Sequence, residues 1–382
     1  MLGMSPGAAR PSELAGNQPR VVCLVGLIAG GHSGVPRYAA TLTRALDRVS
    51  DEYPGLSLFL LTTAAGADAV DPQRIDVRVV AGRSRRLNAG PGRLLLEHVL
   101  VRRERPDLFH YFDVSGPVLA PRRRFVATVH DAAFVHRFRP VHNYYKHRLY
   151  PWSLARATAV VAVSQFAKDE AIRYFRVDPA KVKVVHSGPG LVSAKPVVGT
   201  PERSASPPYL LYVGNLGSNK NLPFLVRSFH RADVPTRLIL AGRARGSLSE
   251  LTAAIAGGAA RDRIEVQDDV DDPELDSLYR SAIALLLPSS YEGFGFTPLE
   301  AMARGCPVLA SDIPALQEVS GTGATLLPLD DDAAWVESMR RIVRDEGLRA
   351  DLRARGIATV SRFSWEKTAR GVLDVLVRAS SF

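Results

Sequence analysis

Two glutamates eight residues apart, Glu292 and Glu300, flank a loop suited to a ligand that carries both hydroxyls and phosphate. The apolar run from Ala282 to Leu287 reads as a buried strand, and Pro288-Ser289-Ser290 stops it. Gly293 and Gly295 follow, and Thr297-Pro298 opens a helix, with the proline in the first turn where its missing N–H costs nothing. Glu292 thus stands on a loop at the C-terminal edge of a strand, and Glu300 in the first turn of the next helix. In open parallel sheets that edge is where ligands bind. A helix N-terminus favours anions, yet two carboxylates are placed beside it. Carboxylates accept hydrogen bonds and suit the hydroxyls of a sugar or a ribose, which leaves the backbone amides from Gly293 through Phe294 and Gly295 to Phe296 for phosphate. A plainer reading stands beside this one, with Glu300 satisfying the helix dipole and Glu292 merely exposed.

Three further places carry chemistry. Gly30-Gly31-His32-Ser33-Gly34 joins an apolar strand, Val21–Leu27, to a helical stretch, Val35–Leu46, so that Gly30, Gly31 and Gly34 let backbone approach a phosphate; a plain tight turn reads the same way. It is not the dinucleotide fingerprint G-x-G-x-x-G. His130 ends the buried strand Phe125–Val129 and faces a ligand edge, or else is held there by a backbone carbonyl; Asp131 reads as helix capping or loop structure. Lys220 lies in the loop between the strand Tyr209–Val213 and the helix Leu222–Arg231. A lysine beside a helix N-terminus supplies a point charge for a diphosphate, although an exposed surface lysine would look alike.

These positions need strands and helices in alternation, and the chain supplies them. Apolar runs at Leu56–Leu61, Val77–Val80, Leu108–His110, Thr158–Val163 and Lys181–Val185 interleave with helical patterns that include Arg93–Arg103, Pro140–Trp152 and Gln165–Tyr174. That alternation argues for a doubly wound α/β domain. Residues 191–208 are rich in Gly, Ser, Pro and Thr and mark a linker. A second alternation follows, ending in helices at 332–344 and 346–360 and a last one from Trp365 to Val377.

A length of 382 residues calls for two domains, and 46% apolar against 23% charged residues is the composition of a globular protein. The net charge of +10 asks for an anionic partner, although arginine so outnumbers lysine that codon bias accounts for much of it. The aromatic and basic stretch Pro140–Trp152 has helical spacing and no nucleic-acid motif. Cys23 and Cys306 sit in apolar surroundings and read as core. Residues 1–19 have no continuous apolar region, no stretch is long enough to span a bilayer, and a cytoplasmic location is expected. Peripheral contact of the basic surface with an anionic membrane face is the minor alternative.

The segment from Tyr291 to Ala303 resembles the E-x7-E segment of the family 4 retaining glycosyltransferases, in a form close to that of their bacterial mannosyltransferases. The stretch from Val161 to Gly190 resembles the end of that family's first domain. The resemblance runs over nearly the whole chain from Val21 and is most specific between Tyr209 and Glu318. It implies a GT-B fold, two doubly wound Rossmann-like domains facing a central cleft. An acceptor-side domain would cover 20–190 and a nucleotide-sugar domain 209–362, with a final helix at 363–380 packing back on the first.

It implies transfer of a hexosyl group with retention, from a nucleotide sugar such as GDP-mannose to a hydroxyl of a glycan, a lipid-linked or a secondary-metabolite acceptor. No metal or other cofactor and no nucleic acid is expected, and Asp330-Asp331-Asp332 looks like a helix start. By the same resemblance His130 and Glu292 contact the transferred sugar, Lys220 the leaving diphosphate and Glu300 the ribose, while Gly30, Gly31 and Gly34 approach the phosphate. The chain departs from the family at Asn215, where many members have Arg, and at Asn219, where Arg commonly precedes the lysine. Arg243 is then a substitute cation. A same-fold epimerase or phosphorylase, a non-catalytic nucleotide-binding module and a basic membrane-associated module remain as alternatives.

Overall fold

The computed structural model describes residues 19–26, 34–79, 105–114, 123–136, 140–190, 208–244 and 248–381. Gly30, Gly31, the expected helix Arg93–Arg103 and the expected linker up to residue 207 lie outside the described residues.

The first half builds a parallel sheet from β1 (Arg20–Val25), β2 (Leu56–Thr62), β3 (Asp76–Val79), β4 (Leu108–Tyr111), β5 (Phe125–Val129), β6 (Ala159–Ala162) and β7 (Val182–Val184). Their spatial order is β3-β2-β1-β4-β5-β6-β7, with Cys23 of β1 opposite both Phe59 and Phe109. The helices are α1 (Gly34–Val49), α2 (Ala64–Val70), α3 (Ala133–His136), α4 (Pro140–Ala155) and α5 (Gln165–Phe175). The second half repeats the plan with β8 (Tyr209–Val213), β9 (Arg237–Ala241), β10 (Ile264–Gln267), β11 (Ala284–Leu287), β12 (Val308–Ser311) and β13 (Thr325–Leu327) in the order β10-β9-β8-β11-β12-β13. Its helices are α6 (Leu222–Ala232), α7 (Ser249–Ala256), α8 (Asp272–Ser281), α9 (Phe296–Ala303), α10 (Pro314–Ser320), α11 (Asp332–Arg344) and α12 (Glu346–Val360), and α13 (Trp365–Ser380) ends the chain.

Central strands buried on both faces explain the continuous apolar runs: every residue of β4, β5, β8, β11 and β12 is buried. In each sheet the strand order reverses at one place, between β1 and β4 and between β8 and β11. The crevice at the carboxyl ends of those strands is where such sheets take ligands.

Side chains punctuate the helices. Ser164 Oγ accepts from Ala167 N at 2.9 Å to start α5, and Arg176 closes it in the left-handed region. Asp331 starts α11 and Ser364 starts α13 in the same way. Helix α13 returns to pack on α1 and the first sheet, burying Val372, Leu373 and Leu376, with Arg48 bonded to Glu366 at 2.8 Å. Trp365 Nε1 donates to Pro189 O at 2.6 Å, which fixes α13 against the segment where the first half ends.

Three elements escape the sequence reading. Helix α2 carries no apolar stripe and is held by the Thr63 cap, α10 is about two turns beginning at Pro314, and β13 has three residues. Each is too short for periodicity to register. Among the described residues no helix is long and apolar enough to cross a membrane.

Candidate functional site

The loop from Pro288 to Gly295 leaves the end of β11 at the point where the second sheet reverses its order. Lys220 reaches it from the loop after β8, the neighbouring strand, and its Nζ bonds Glu292 Oε1. Only 11% of the Lys220 side chain and 17% of the Glu292 side chain are exposed, so each charge depends on the other for the solvation that water no longer supplies. Asn219 ties the same two loops together. Its carbonyl accepts from Ser290 N at 2.9 Å and from Ser290 Oγ at 3.2 Å, and its Nδ2 donates to Tyr291 O at 3.3 Å. A guanidinium at 219 would replace that neutral tie with a second cation.

The loop also meets the first half. A side chain on Gly293 would stand 2.1 Å from the carbonyl oxygen of His130, so only glycine lets the two backbones approach. Gly293 O accepts from Ser164 Oγ at 2.7 Å, the hydroxyl that also caps α5. Tyr291 OH bonds Glu170 Oε2 of the buried carboxylate, and Ala132 N donates to that Oε2 and to the Tyr291 hydroxyl, each at 2.9 Å. Burial pushes the Tyr291 phenol far above its ordinary value, so it stays protonated as the donor to Glu170. Phe294 packs on His186 and Phe363 inside the first-half core. Below it, Glu318 of α10 takes Gln165 N at 2.7 Å, Phe166 N at 3.2 Å and His186 Nε2 at 2.6 Å. Burial raises the Glu318 carboxyl, but those donors outweigh it and hold it below the ordinary range.

His130 stands at the end of β5 as expected, and its Nε2 bonds Phe112 O at 2.8 Å. A carbonyl only accepts, so the proton sits on Nε2 and Nδ1 is the ring's acceptor. Tyr38 of α1 meets the imidazole edge to face at 4.6 Å. Burial holds His130 below its ordinary value, partly offset by the Phe112 carbonyl and the nearby Asp131 and Asp113. Asp131 receives Ala133 N at 2.9 Å and starts α3, a capping role.

Glu300 lies at the inner end of the site and is enclosed. Its Oε2 accepts from Tyr279 OH at 2.9 Å and its Oε1 from Arg37 Nη1 at 3.3 Å. A Cβ on Gly190 would stand 2.1 Å from Oε1, so the chain leaving the first half passes directly over the carboxylate. Arg37 also donates to Asp272 Oδ1 at 2.6 Å. The sequence reading missed Arg37 and Tyr279. A signal for Arg37 was present: a cation in the first turn of a helix opposes the macrodipole and needs a compensating partner. Both glutamates were expected open to ligand hydroxyls, and both instead already hold protein donors.

Asn215 shapes its own loop, with Oδ1 accepting from Gly217 N at 3.1 Å and its carbonyl from Tyr212 OH at 2.8 Å. Arg243 lies beside that loop, since its carbonyl accepts from Leu216 N at 2.9 Å, but its guanidinium is held by Asp269, with Nε 2.8 Å from Oδ1. Gly295 has φ +109 and precedes α9, whose N-terminus has no side-chain cap. The Phe296 ring stacks on Trp365 at 6.3 Å, which leaves its backbone as the part able to meet a ligand. Gly34 begins α1 with open space where a Cβ would be. Among the described residues no group of three His, Cys, Asp or Glu side chains is placed to hold a metal.

Comparison with known proteins places this geometry. Residues 32–189 match the family described as Glycosyltransferase Family 4, and residues 200–375 match Glycosyl transferases group 1. A D-inositol 3-phosphate glycosyltransferase of Xylanimonas cellulosilytica is 29% identical over 243 residues, 59% of this chain and 58% of the relative. The O-antigen chain mannosyltransferase RfbU of Salmonella typhimurium is 31% identical over 222 residues, 58% of this chain and 61% of the relative. The match thus spans about three fifths of the length of these curated relatives. Among solved structures, Alr3699/HepE of Anabaena in complex with UDP and glucose superposes with a TM-score of 0.73 at 18% identity, over 94% of this chain and 100% of that one. Two parallel sheets with flanking helices, a GT-B fold, and two family matches that together run from residue 32 to 375 have one reading: the chain belongs to the family 4 glycosyltransferases.

Proposed function

We propose that the chain transfers a hexosyl group from a nucleotide sugar to a hydroxyl acceptor, with retention at the anomeric carbon. The observation that carries this is the Lys220–Glu292 pair at the reversal point of the second sheet, on a loop whose Gly293 abuts His130 of the first. A cation for a diphosphate and a carboxylate for sugar hydroxyls meet there, beside the main chain of His130 from the opposite sheet.

In this reading the diphosphate draws Lys220 from Glu292, and the freed carboxylate accepts the sugar hydroxyls. The bond from the acceptor oxygen to the anomeric carbon forms as the bond to the leaving phosphate oxygen breaks. The acceptor proton passes to that phosphate oxygen, so no glycosidase-like carboxylate pair is required. Lys220, the uncapped N-terminus of α9 and the main chain from Gly293 to Phe296 stabilise the leaving charge, with Asn215 and Arg243 beside them. His130, its Nε2 proton committed to Phe112, presents a neutral ring to the sugar. Gly30, Gly31 and Gly34 bring the first half's main chain to the phosphate, and Glu300 takes the ribose. The domain division is 20–190, a linker at 191–208, and 209–362, with the terminal helix belonging to the first domain.

The mannosyltransferase relatives support a mannosyl donor, GDP-mannose in this reading, and the O-antigen relatives favour a glycan acceptor over a lipid-linked or secondary-metabolite one. The test is acceptor-free hydrolysis of GDP-mannose, UDP-glucose, UDP-GlcNAc and ADP-glucose by the purified protein and by Glu292→Gln. Release of one nucleoside diphosphate, lost in the variant, supports the reading and fixes the donor. Failure to bind any member of the panel overturns it.

A further inference from the structure

The site's inner end holds a cation that the proposed chemistry has not used. Arg37 belongs to α1 of the first half, yet among the described residues both of its ion pairs are to the second: Nη2 to Asp272 Oδ1 at 2.6 Å and Nη1 to Glu300 Oε1 at 3.3 Å. Its side chain is 14% exposed and that of Glu300 5%. Tyr279, fully buried, donates to the other oxygen of the same carboxylate at 2.9 Å. Burial and the adjacent Glu300 push the Tyr279 phenol well above its ordinary value, so it remains a donor.

Glu300 is therefore gripped at both oxygens, by a neutral donor from its own half and a charged one from the other. A carboxylate offers about four lone-pair sites and roughly two are taken, so Glu300 keeps acceptor capacity although the Gly190 main chain crosses Oε1. A carboxylate of fixed plane presents that capacity in one direction, as recognition of a ribose diol requires. A carboxylate held by Tyr279 alone could turn about its own bonds, and it would sit buried with its negative charge unpaired.

Resting on the transferase reading above, we propose that Arg37 is a positioning residue for nucleotide recognition: reaching across from the first domain, it fixes the plane of Glu300 so that the carboxylate reads the ribose diol. Asp272, 43% exposed, steadies the outer end of the guanidinium. The recognition of the nucleoside thus depends on both halves of the chain, and Arg37 contributes to it without itself touching the base or the ribose.

The test compares binding of GDP with 2′-deoxy-GDP, and of UDP with 2′-deoxy-UDP, by the full chain and its variants. The wild type is expected to prefer the ribonucleotide by about tenfold or more, the scale of one lost hydrogen bond to a charged group. Arg37→Ala brings that ratio to within about threefold, Arg37→Lys lies between because an ammonium cannot span both carboxylates, and Arg37→Ala adds nothing to Glu300→Gln. Asp272→Asn, which keeps an oxygen acceptor for the guanidinium, lowers the ratio less than Arg37→Ala does. Thermal unfolding reports whether Arg37→Ala folds, and Arg37→Lys carries the test if it does not.

Equal weakening of both nucleotides, with the ratio preserved, overturns the proposal and makes Arg37 a tie between domains. A wild type that binds nucleotides without regard to the 2′-hydroxyl also overturns it, while the transferase reading stands. A wild type that binds no nucleoside diphosphate removes the transferase reading itself.

Discussion

Lys220 and Glu292, 72 residues apart in sequence, form an ion pair in which each is the charge partner of the other. In the proposed function one meets the donor's diphosphate and the other its sugar, so the ligand-free site balances its own charges. Donor binding would then give Lys220 a diphosphate in place of the carboxylate and Glu292 hydroxyl donors in place of the ammonium, so neither group is left without a polar partner.

Removing one member is therefore more harmful to the fold than removing both. Lys220→Ala leaves Glu292 buried and unpaired, at a cost of about 3 kcal/mol, the lower end for breaking a buried pair because the pair keeps some exposure. The double variant Lys220→Ala/Glu292→Gln is expected to be more stable than Lys220→Ala, although both are inactive. Urea unfolding of the two singles and the double measures the coupling; strictly additive losses would show that the two charges act separately.

Gly293→Ala tests the contact between the halves. Its Cβ would stand 2.1 Å from His130 O, a backbone atom, so the loop or the β5 end must move. A shift of about 1 Å at a site that positions reacting groups costs on the order of 100-fold in rate. The expected result is a loss of turnover on that scale with thermal stability within a few degrees of the wild type. Turnover within a factor of two would mean that the approach of Gly293 to His130 has no bearing on catalysis.

Arg243 is the opposite case from Lys220. Its side chain is 56% exposed and its partner Asp269 68% exposed, and such pairs contribute roughly 0–1 kcal/mol. Arg243→Ala should leave stability unchanged. If the arginine turns from Asp269 to the diphosphate, the variant raises the donor KM by up to about tenfold, more at low salt, with kcat nearly constant. A KM unchanged at every salt concentration would remove Arg243 from the donor site.

The fold was legible because its signals are local and repeated. Runs such as Phe125–Val129 and Tyr209–Val213 are buried on both faces and announce themselves without partners, and Ser164 and Asp331 mark helix starts by their position. Lys220, Glu292 and His130 were legible as polar candidates just beyond strand ends. Their mutual geometry was not, because nothing local says that position 220 touches 292, or that Gly293 is a glycine on account of a carbonyl at 130. Arg37 is the clearest loss. Its partners, at 272 and 300, belong to the other half of the chain, so its meaning exists only once the halves are packed.

The same packing makes acid stability predictable. His110 of β4 is fully buried, bonded through Nε2 to Thr128 Oγ1 at 3.0 Å, and burial pushes its imidazole down from 6.5 to about 3. His130 is lowered in the same direction. Between pH 6.5 and 3 the unfolded chain binds a proton at His110 that the folded chain refuses, so stability is complete above 6.5 and falls as pH drops toward 3. The slope is about 1.4 kcal/mol per pH unit for each such histidine. Glu318, held below its ordinary 4.5, adds a further loss in more acid solution. His110→Gln keeps a partner for Thr128 and has nothing to titrate. Its unfolding free energy, followed through the first-domain transition in urea, should fall less steeply between pH 6 and 5, by about the slope of one histidine. Parallel curves for wild type and variant would mean that His110 is not the group that refuses the proton.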